Sequence, residues 1–537
     1  MSNLKKLSFV SLMLICALFI GLFAYPQTAT AQQIHIVNGQ IVESAVLSPD
    51  SDYKTVEYVN GAARLNDHAN GYSITFPADM YVDASLSKVV TTLQNNDTVV
   101  EIYYDNFTEN TNTRNVNDYI FYSNLFLRNR TDHNLLLEKN ITLDNHPVHI
   151  LNWRRAPLVL TPNDKNNYLS AEIVKNQKEV YTILIKSSQD AGQFMPIIES
   201  FRIIPQYGEA KINTRWAKPQ RFNQNQEIMS FYSQYFSDEA ALKWGIYEFS
   251  VNNDYNYLNN LENSMGGKFD FILWYKSMST PFPADVVNDA YNNGKYVELT
   301  LHTELANQSN QSIMYAILNG DYDAFFIQYA DELKAFGRPV LFRLNNEMNG
   351  DWCNWSALHF SKDTEIFKLV WRHIYNIFRN HQADNVLWVW NPNDRSFPDF
   401  KWNHPLMYFP GAEYVDIIGL TGYNTGTYYP DEPWREFSAI YDPLYSDYSQ
   451  WFDYPMMITE FACNSIGGDK IRWIADMKRD ISKYPRIKAA VWFNGIDYDA
   501  DMNPARLYRI DENQQTIAAF AQVFDSYGLS YLELVRP

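Results

Sequence analysis

From residue 240 to the C-terminus, short apolar runs alternate with longer amphipathic stretches. The runs are Trp244–Phe249, Phe269–Trp274, Tyr296–Leu301, Pro339–Leu344, Val386–Trp390, Val415–Leu420, Met456–Thr459 and Ala489–Phe493. Each is bounded by polar residues and is apolar along most of its length, as strands covered on both faces are. Helical spacing of apolar residues is clearest at Tyr322–Phe336, Lys362–Arg379 and Lys470–Lys483, with a closing helix near Gln515–Phe524. Eight such units in roughly 290 residues predict a closed (β/α)8 TIM barrel over 240–537. An open doubly wound sheet is the alternative, but the Gly-rich turn that such sheets carry after the first strand is missing.

The N-terminal half has a different texture. Between residues 32 and 205, strand-like runs such as GYSITF (Gly71–Phe76), VVEIYY (Val99–Tyr104), HILNWRR (His149–Arg155) and EVYTILIKS (Glu179–Ser187) are separated by turns rich in Asn and Asp. Ala191–Ile204 carries helical spacing in Phe194, Ile197, Ile198 and Phe201. A small β-rich α/β sandwich is expected, and its run of elements, with Tyr72-x-Ile74-x-Phe76-Pro77 early and Ile198-Glu199-Ser200-Phe201-Arg202 late, resembles PsbP-like or Mog1-like domains. No cluster of acids or His marks a site there, so an accessory role, in contact with glycan or the cell surface, is the default expectation. The composition of 206–239 shifts to Gly, Lys, Pro, Asn and Gln and reads as a linker.

Residues 1–31 have the form of an export signal: Lys5 and Lys6, an apolar core from Leu7 to Phe23, and Ala29-Thr30-Ala31 as a small-x-small cleavage site. Secretion is expected, with an uncleaved membrane anchor as the alternative. A net charge of −18 argues against a nucleic-acid partner and against anionic membranes. Aromatic residues make up 16% of the chain, more than cores require, and carbohydrate surfaces use such a surplus. Of three Cys, Cys16 lies in the leader. Cys353 and Cys463 each follow a candidate acid, as two buried thiols or, alternatively, as a pair.

The candidate chemistry lies at two strand ends. VLFRLNNEMNGDWCNW (Val340–Trp355) leaves its strand through Asn345, Asn346 and Glu347, with Trp352 and Trp355 beside the acid. YPMMITEFACNS (Tyr454–Ser465) closes on Glu460. In a barrel, reactive groups belong at the C-terminal strand ends, and these acids follow the fourth and seventh strands. Two carboxyls across one mouth suit glycoside hydrolysis, which in its retaining form needs them only ~5–5.5 Å apart. Trp388 and Trp390 share a strand face; Trp388 reads as core, Trp390 equally as core or as subsite. Asp416, Glu298 and Glu304 read as structural or solvated, and Asp394 as a rival acid. No metal-ligand spacing and no His-activated Ser appear, so no cofactor is expected.

RLNNEMNGDWCNW is similar to the acid/base segment of glycoside hydrolase family 26, and YPMMITEFA to its nucleophile segment. VLWVWNPN (Val386–Asn393) and VDIIGLTGYN (Val415–Asn424) resemble its fifth and sixth strands. The resemblance implies a retaining β-glycanase acting on internal β-1,4 bonds of mannan, mixed-linkage β-glucan or xylan. Glu347 would be the acid/base and Glu460 the nucleophile. Arg343 would support the carboxylates, Tyr423 would bond the nucleophile, and His302, Trp352, Trp355, Trp390 and Trp492 would line the sugar subsites. Asn346 stands where the family's mannanases usually carry His, and Asn there contacts the 2-hydroxyl in the wider clan of retaining barrels. Thr421 stands where an acid is often found. The other function considered is a silent barrel that binds polysaccharide without cutting it.

Overall fold

The computed structural model of the chain describes residues 34–37, 40–43, 53–59, 61–109, 115–219, 225–306 and 312–524. The leader lies outside them. No helix among the described residues is long and apolar enough to cross a membrane.

The eight apolar runs form a closed, all-parallel barrel: Lys243–Tyr247, Phe271–Ser277, Tyr296–His302, Val340–Leu344, Val386–Trp390, Ile417–Thr421, Met456–Phe461 and Ile487–Phe493, the eighth pairing back on the first. Gly419 lets the wall close, because a Cβ there would sit 2.6 Å from Thr459 Cγ2. Alternation sends Leu387 and Val389 inward, with Phe271, Leu273, Leu341, Ile417, Met457 and Val491, and sends Trp388 and Trp390 outward. The helix Gln226–Phe236, inside the stretch read as a linker, packs Ile228, Phe231, Tyr235 and Phe236 against that inward cluster. Its N-cap, Asn225, accepts from the amides of Glu227 and Ile228.

The twenty residues after the fourth strand, 345–364, lead to the helix Glu365–Asn380, whose buried face is Ile366, Phe367, Val370, Trp371, Ile374 and Phe378. It starts three residues later than its spacing predicts. Ser361 and Lys362 have left-handed backbones, and Asp363 is committed to contacts outside the helix.

The N-terminal region is β-rich, as expected. Its long antiparallel strands run in the order Thr98–Asn106, Glu179–Ser187, Asn167–Val174, His146–Arg155 and, at the edge, His133–Leu143. A four-stranded sheet, Arg202–Ile203, Tyr72–Pro77, Ala62–Asp67 and Lys54–Val59, covers one face. Ala191–Ile204 is helical only to Glu199; Arg202 and Ile203 then pair with Ser73 and Tyr72.

Both faces of the larger sheet are buried. Ile150, Leu169, Tyr181, Ile183 and Ile185 point into the module's own core with Leu65, Ile74 and Phe201. Trp153, Tyr168, Val180 and Leu184, one residue out of phase, join a single apolar cluster with Phe360, Trp371 and Tyr408 of the barrel side. Polar contacts reinforce this junction. Lys362 Nζ lies 2.9 Å from Glu172, with both side chains fully buried, and Lys186 Nζ lies 2.9 Å from Asp363. Tyr168 donates to Asp363 (2.9 Å) and the Trp153 indole to Ser361 (2.9 Å).

Candidate active site

Glu460 stands inside the seventh strand, one residue before its end. Four donors meet its carboxylate. Arg343 Nη1 (2.8 Å) and Asn346 Nδ2 (3.1 Å) reach Oε1, while the hydroxyls of Tyr423 (3.0 Å) and Tyr275 reach Oε2. A carboxylate so surrounded is an acceptor and is used as one. Arg343 rises from the fourth strand and is fully buried, with Nε on Thr300 (2.7 Å) and Nη1 also on Asn391 (3.0 Å).

Below this network lies Glu298 of the third strand, 3.3 Å from Arg343 Nε and fully buried. Neither of its oxygens has a hydrogen-bond partner among the described residues. Burial pushes its carboxyl up to about 8, against the pull of Arg343. Of the two readings open for Glu298, structural or solvated, its full burial sets the solvated one aside.

Glu347 sits three residues past the fourth strand in a left-handed backbone (φ +52°), as does Asn345 (φ +50°). Its amide donates to Asn391 O (2.7 Å). One carboxyl oxygen accepts from Asn393 Nδ2, the other from the Trp352 indole at 3.3 Å. Burial, then the charge of Glu460, raises this acid to about 7. Two carboxyls in one cleft are thereby set apart, one ringed by four donors and one able to hold a proton at neutral pH.

Asn346 joins the two halves of the site, since its Oδ1 also meets His302 Nε2 at 2.7 Å. Glu304, 3.7 Å from His302 Nδ1, is held below its usual range by that neighbour. Trp352 is 53% exposed and lies beside Phe397, with ring centres 5.3 Å apart. Gly350 makes room for it: a Cβ there would be 2.5 Å from the indole. Glu347, Glu460, Trp352, Tyr423, Asn393 and Phe493 line one cleft of about 490 Å³. No group of His, Cys, Asp or Glu among the described residues could hold a metal ion.

Three expected sugar contacts are corrected by the structure. Trp390 is fully buried on the outer face of its strand, against Phe409 and Phe452. Trp492 is likewise buried outside the barrel, between Phe461 and Phe520, with its indole on Tyr508 O; its neighbour Phe493 lines the cleft instead. Trp355 is 4% exposed and acts from behind, donating to Asn346 O (2.8 Å) and packing on His302 (4.8 Å between ring centres). Cys353 and Cys463 are free and buried, so the pairing alternative is set aside. Asp394 is bound to Arg435 (2.5 Å). Sequence reasoning missed Tyr275, Asn393 and Phe397. Tyr275 was within reach, because Phe271 and Leu273 point inward and a period of two carries that face to residue 275.

Residues 234–464 match the model of Glycosyl hydrolase family 26. The chain is 31% identical to endoglucanase H of Acetivibrio thermocellus over 274 residues, 49% of this chain and 28% of that protein. It is 33% identical to mannan endo-1,4-beta-mannosidase of Bacillus subtilis over 184 residues, 32% of this chain and 47% of that one. It therefore spans less than half the length of either relative. A solved beta-mannanase from Bacteroides ovatus aligns with 57% of this chain and 97% of its own at 15% identity and a TM-score of 0.42. The stretch that matches the model of glycosyl hydrolase family 26 takes in seven of the eight barrel strands and both acids, so it is this family that the barrel region is similar to.

Proposed function

We propose that the chain is a secreted, retaining endo-β-glycanase that hydrolyses β-1,4-linked polysaccharide, either mannan or a mixed-linkage β-glucan or xylan. The observation that carries this reading is the division of labour between the two acids over one cleft. Glu460, held by four donors, attacks the anomeric carbon. The bond to the leaving oxygen breaks with its electron pair, and that oxygen takes the proton of Glu347. Water then gives a proton to Glu347 and attacks the same carbon, releasing Glu460 and the sugar with its original anomeric configuration. The names of the two relatives support a β-glycan substrate, and the 1–31 leader supports export.

Glu347→Ala and Glu460→Ala are assayed on a panel of mannans, β-glucans and xylans, with product masses read by mass spectrometry. Loss of the acid is expected to lower kcat about 10²–10⁴-fold, and loss of the nucleophile at least as much. Because Glu347 must be protonated to act, kcat/KM falls as pH rises through about 7. Parent-like turnover in both variants sinks the assignment. Binding by the parent without new reducing ends supports the silent barrel instead. Inversion at the anomeric carbon, followed by NMR, overturns the retaining step alone.

A further inference from the structure

Among the described residues, the Glu347 carboxyl has two side-chain hydrogen-bond partners, Trp352 and Asn393, and each belongs to a segment that the N-terminal region touches. The helix Val116–Ser123, capped by Asn115, supplies the contacts. Its Tyr122 hydroxyl donates to Asp351, the residue before Trp352. Its Ser123 Oγ accepts the Trp402 indole (3.1 Å), and Tyr119 packs on Phe400 (4.5 Å between ring centres); both partners lie shortly after Asn393 and Phe397. At its far end the Glu347 loop is gripped again at Ser361, Lys362 and Asp363 by Trp153, Glu172 and Lys186. This loop contains four left-handed residues, Asn345, Glu347, Ser361 and Lys362, a set that persists only where the surroundings fix it.

We infer that the N-terminal module is a working part of the catalytic site, its Tyr122 hydroxyl anchoring Asp351 so that the Trp352 indole stays on the carboxyl of Glu347. Tyr122 is a positioning residue; it acts through Asp351 and Trp352. The inference rests on reading Glu347 as the acid of the proposed glycanase. The charged and titratable groups around that acid are Glu460 and Arg343 from the seventh and fourth strands, Tyr423 after the sixth, and Asp351 and Cys353 in its own loop. The bonds donated by Asn393 and, to a lesser degree, by Trp352 hold the acid's pKa down. Loosening the Trp352 bond therefore moves the basic limb of the pH profile upward.

The test uses the full chain and the polysaccharide of the panel that the parent cleaves. Tyr122→Phe is expected to lower kcat about two- to tenfold, the range that one hydrogen bond supports, with little change in KM. The basic limb should rise by roughly 0.3–1 pH unit. Asp351→Ala, at an exposed loop position, reads the same contact from the other side, and the double variant should match either single one. On an aryl glycoside whose phenolate leaves without a proton, kcat/KM, which reports the first displacement alone, should match the parent's in all three. Phe121→Ser, on the exposed face of the same helix, should behave as the parent on both substrates. The inference is overturned if the limb and kcat of Tyr122→Phe match the parent, or if both substrates slow equally, as loss of folded enzyme would cause. Parent-like turnover in Glu347→Ala would instead sink the functional reading, whatever Tyr122 does.

Discussion

The barrel and the N-terminal sheet are both built from strands that are apolar on two faces, but they bury those faces differently. Each barrel strand covers its inner face with the other strands and its outer face with helices of the same unit, so the pattern is satisfied within 226–524. The sheet covers one face with its own smaller sheet and needs the barrel for the other. Antiparallel sheets commonly leave one face to water, and their strands then alternate. EVYTILIKS does not: eight of its nine residues are buried. A near-continuous apolar strand in an antiparallel sheet announces a second covering layer, and here that layer is another region of the same chain.

The largest expected effect that bears on this contrast is at the buried ion pair between the two regions. Burial opposes the charge on Glu172, yet Lys362 and His149 together bring its carboxyl down to about 2. Lys362→Met would strand that charge in the junction, at a cost of about 3–5 kcal/mol, read by thermal or urea unfolding. A loss under about 1 kcal/mol, the usual worth of a solvated pair, would mean that the junction is open to water. A sharper comparison sets Leu184→Ala against Ile183→Ala, neighbours on opposite faces of one strand. Both should lose about 2–5 kcal/mol. If Leu184→Ala instead costs about 0.5 kcal/mol or less, as surface changes do, the sheet's barrel-facing side carries no core.

How far the sequence could be read follows from the same periodicities. The eight barrel strands and both acids were legible because runs buried on two faces and polar strand ends are strong local signals. Trp390 and Trp492 were misplaced because composition shows an aromatic surplus without its phase; one residue along a strand exchanges cleft for outer wall, as Trp492 and Phe493 demonstrate. The helix Gln226–Phe236 was hidden by its polar flanks, although Ile228, Phe231, Tyr235 and Phe236 already had the spacing of one buried stripe. Asn393 and Phe397 come from a loop with no period at all. The docking of the two regions was written in the doubled apolar pattern of the sheet, but its partner could not be named, since nothing local in Trp153 or Lys186 points to Ser361 or Asp363.

Glu347, the proton donor of the proposed glycanase, occupies a left-handed conformation that glycine enters freely and glutamate does not. Putting Gly at 347 should therefore give a chain that is inert yet melts no lower than the working one, and a clear drop in its melting temperature would count against this. Drift toward durability at this position would silence the enzyme, so only continued demand for turnover keeps the awkward residue where it is.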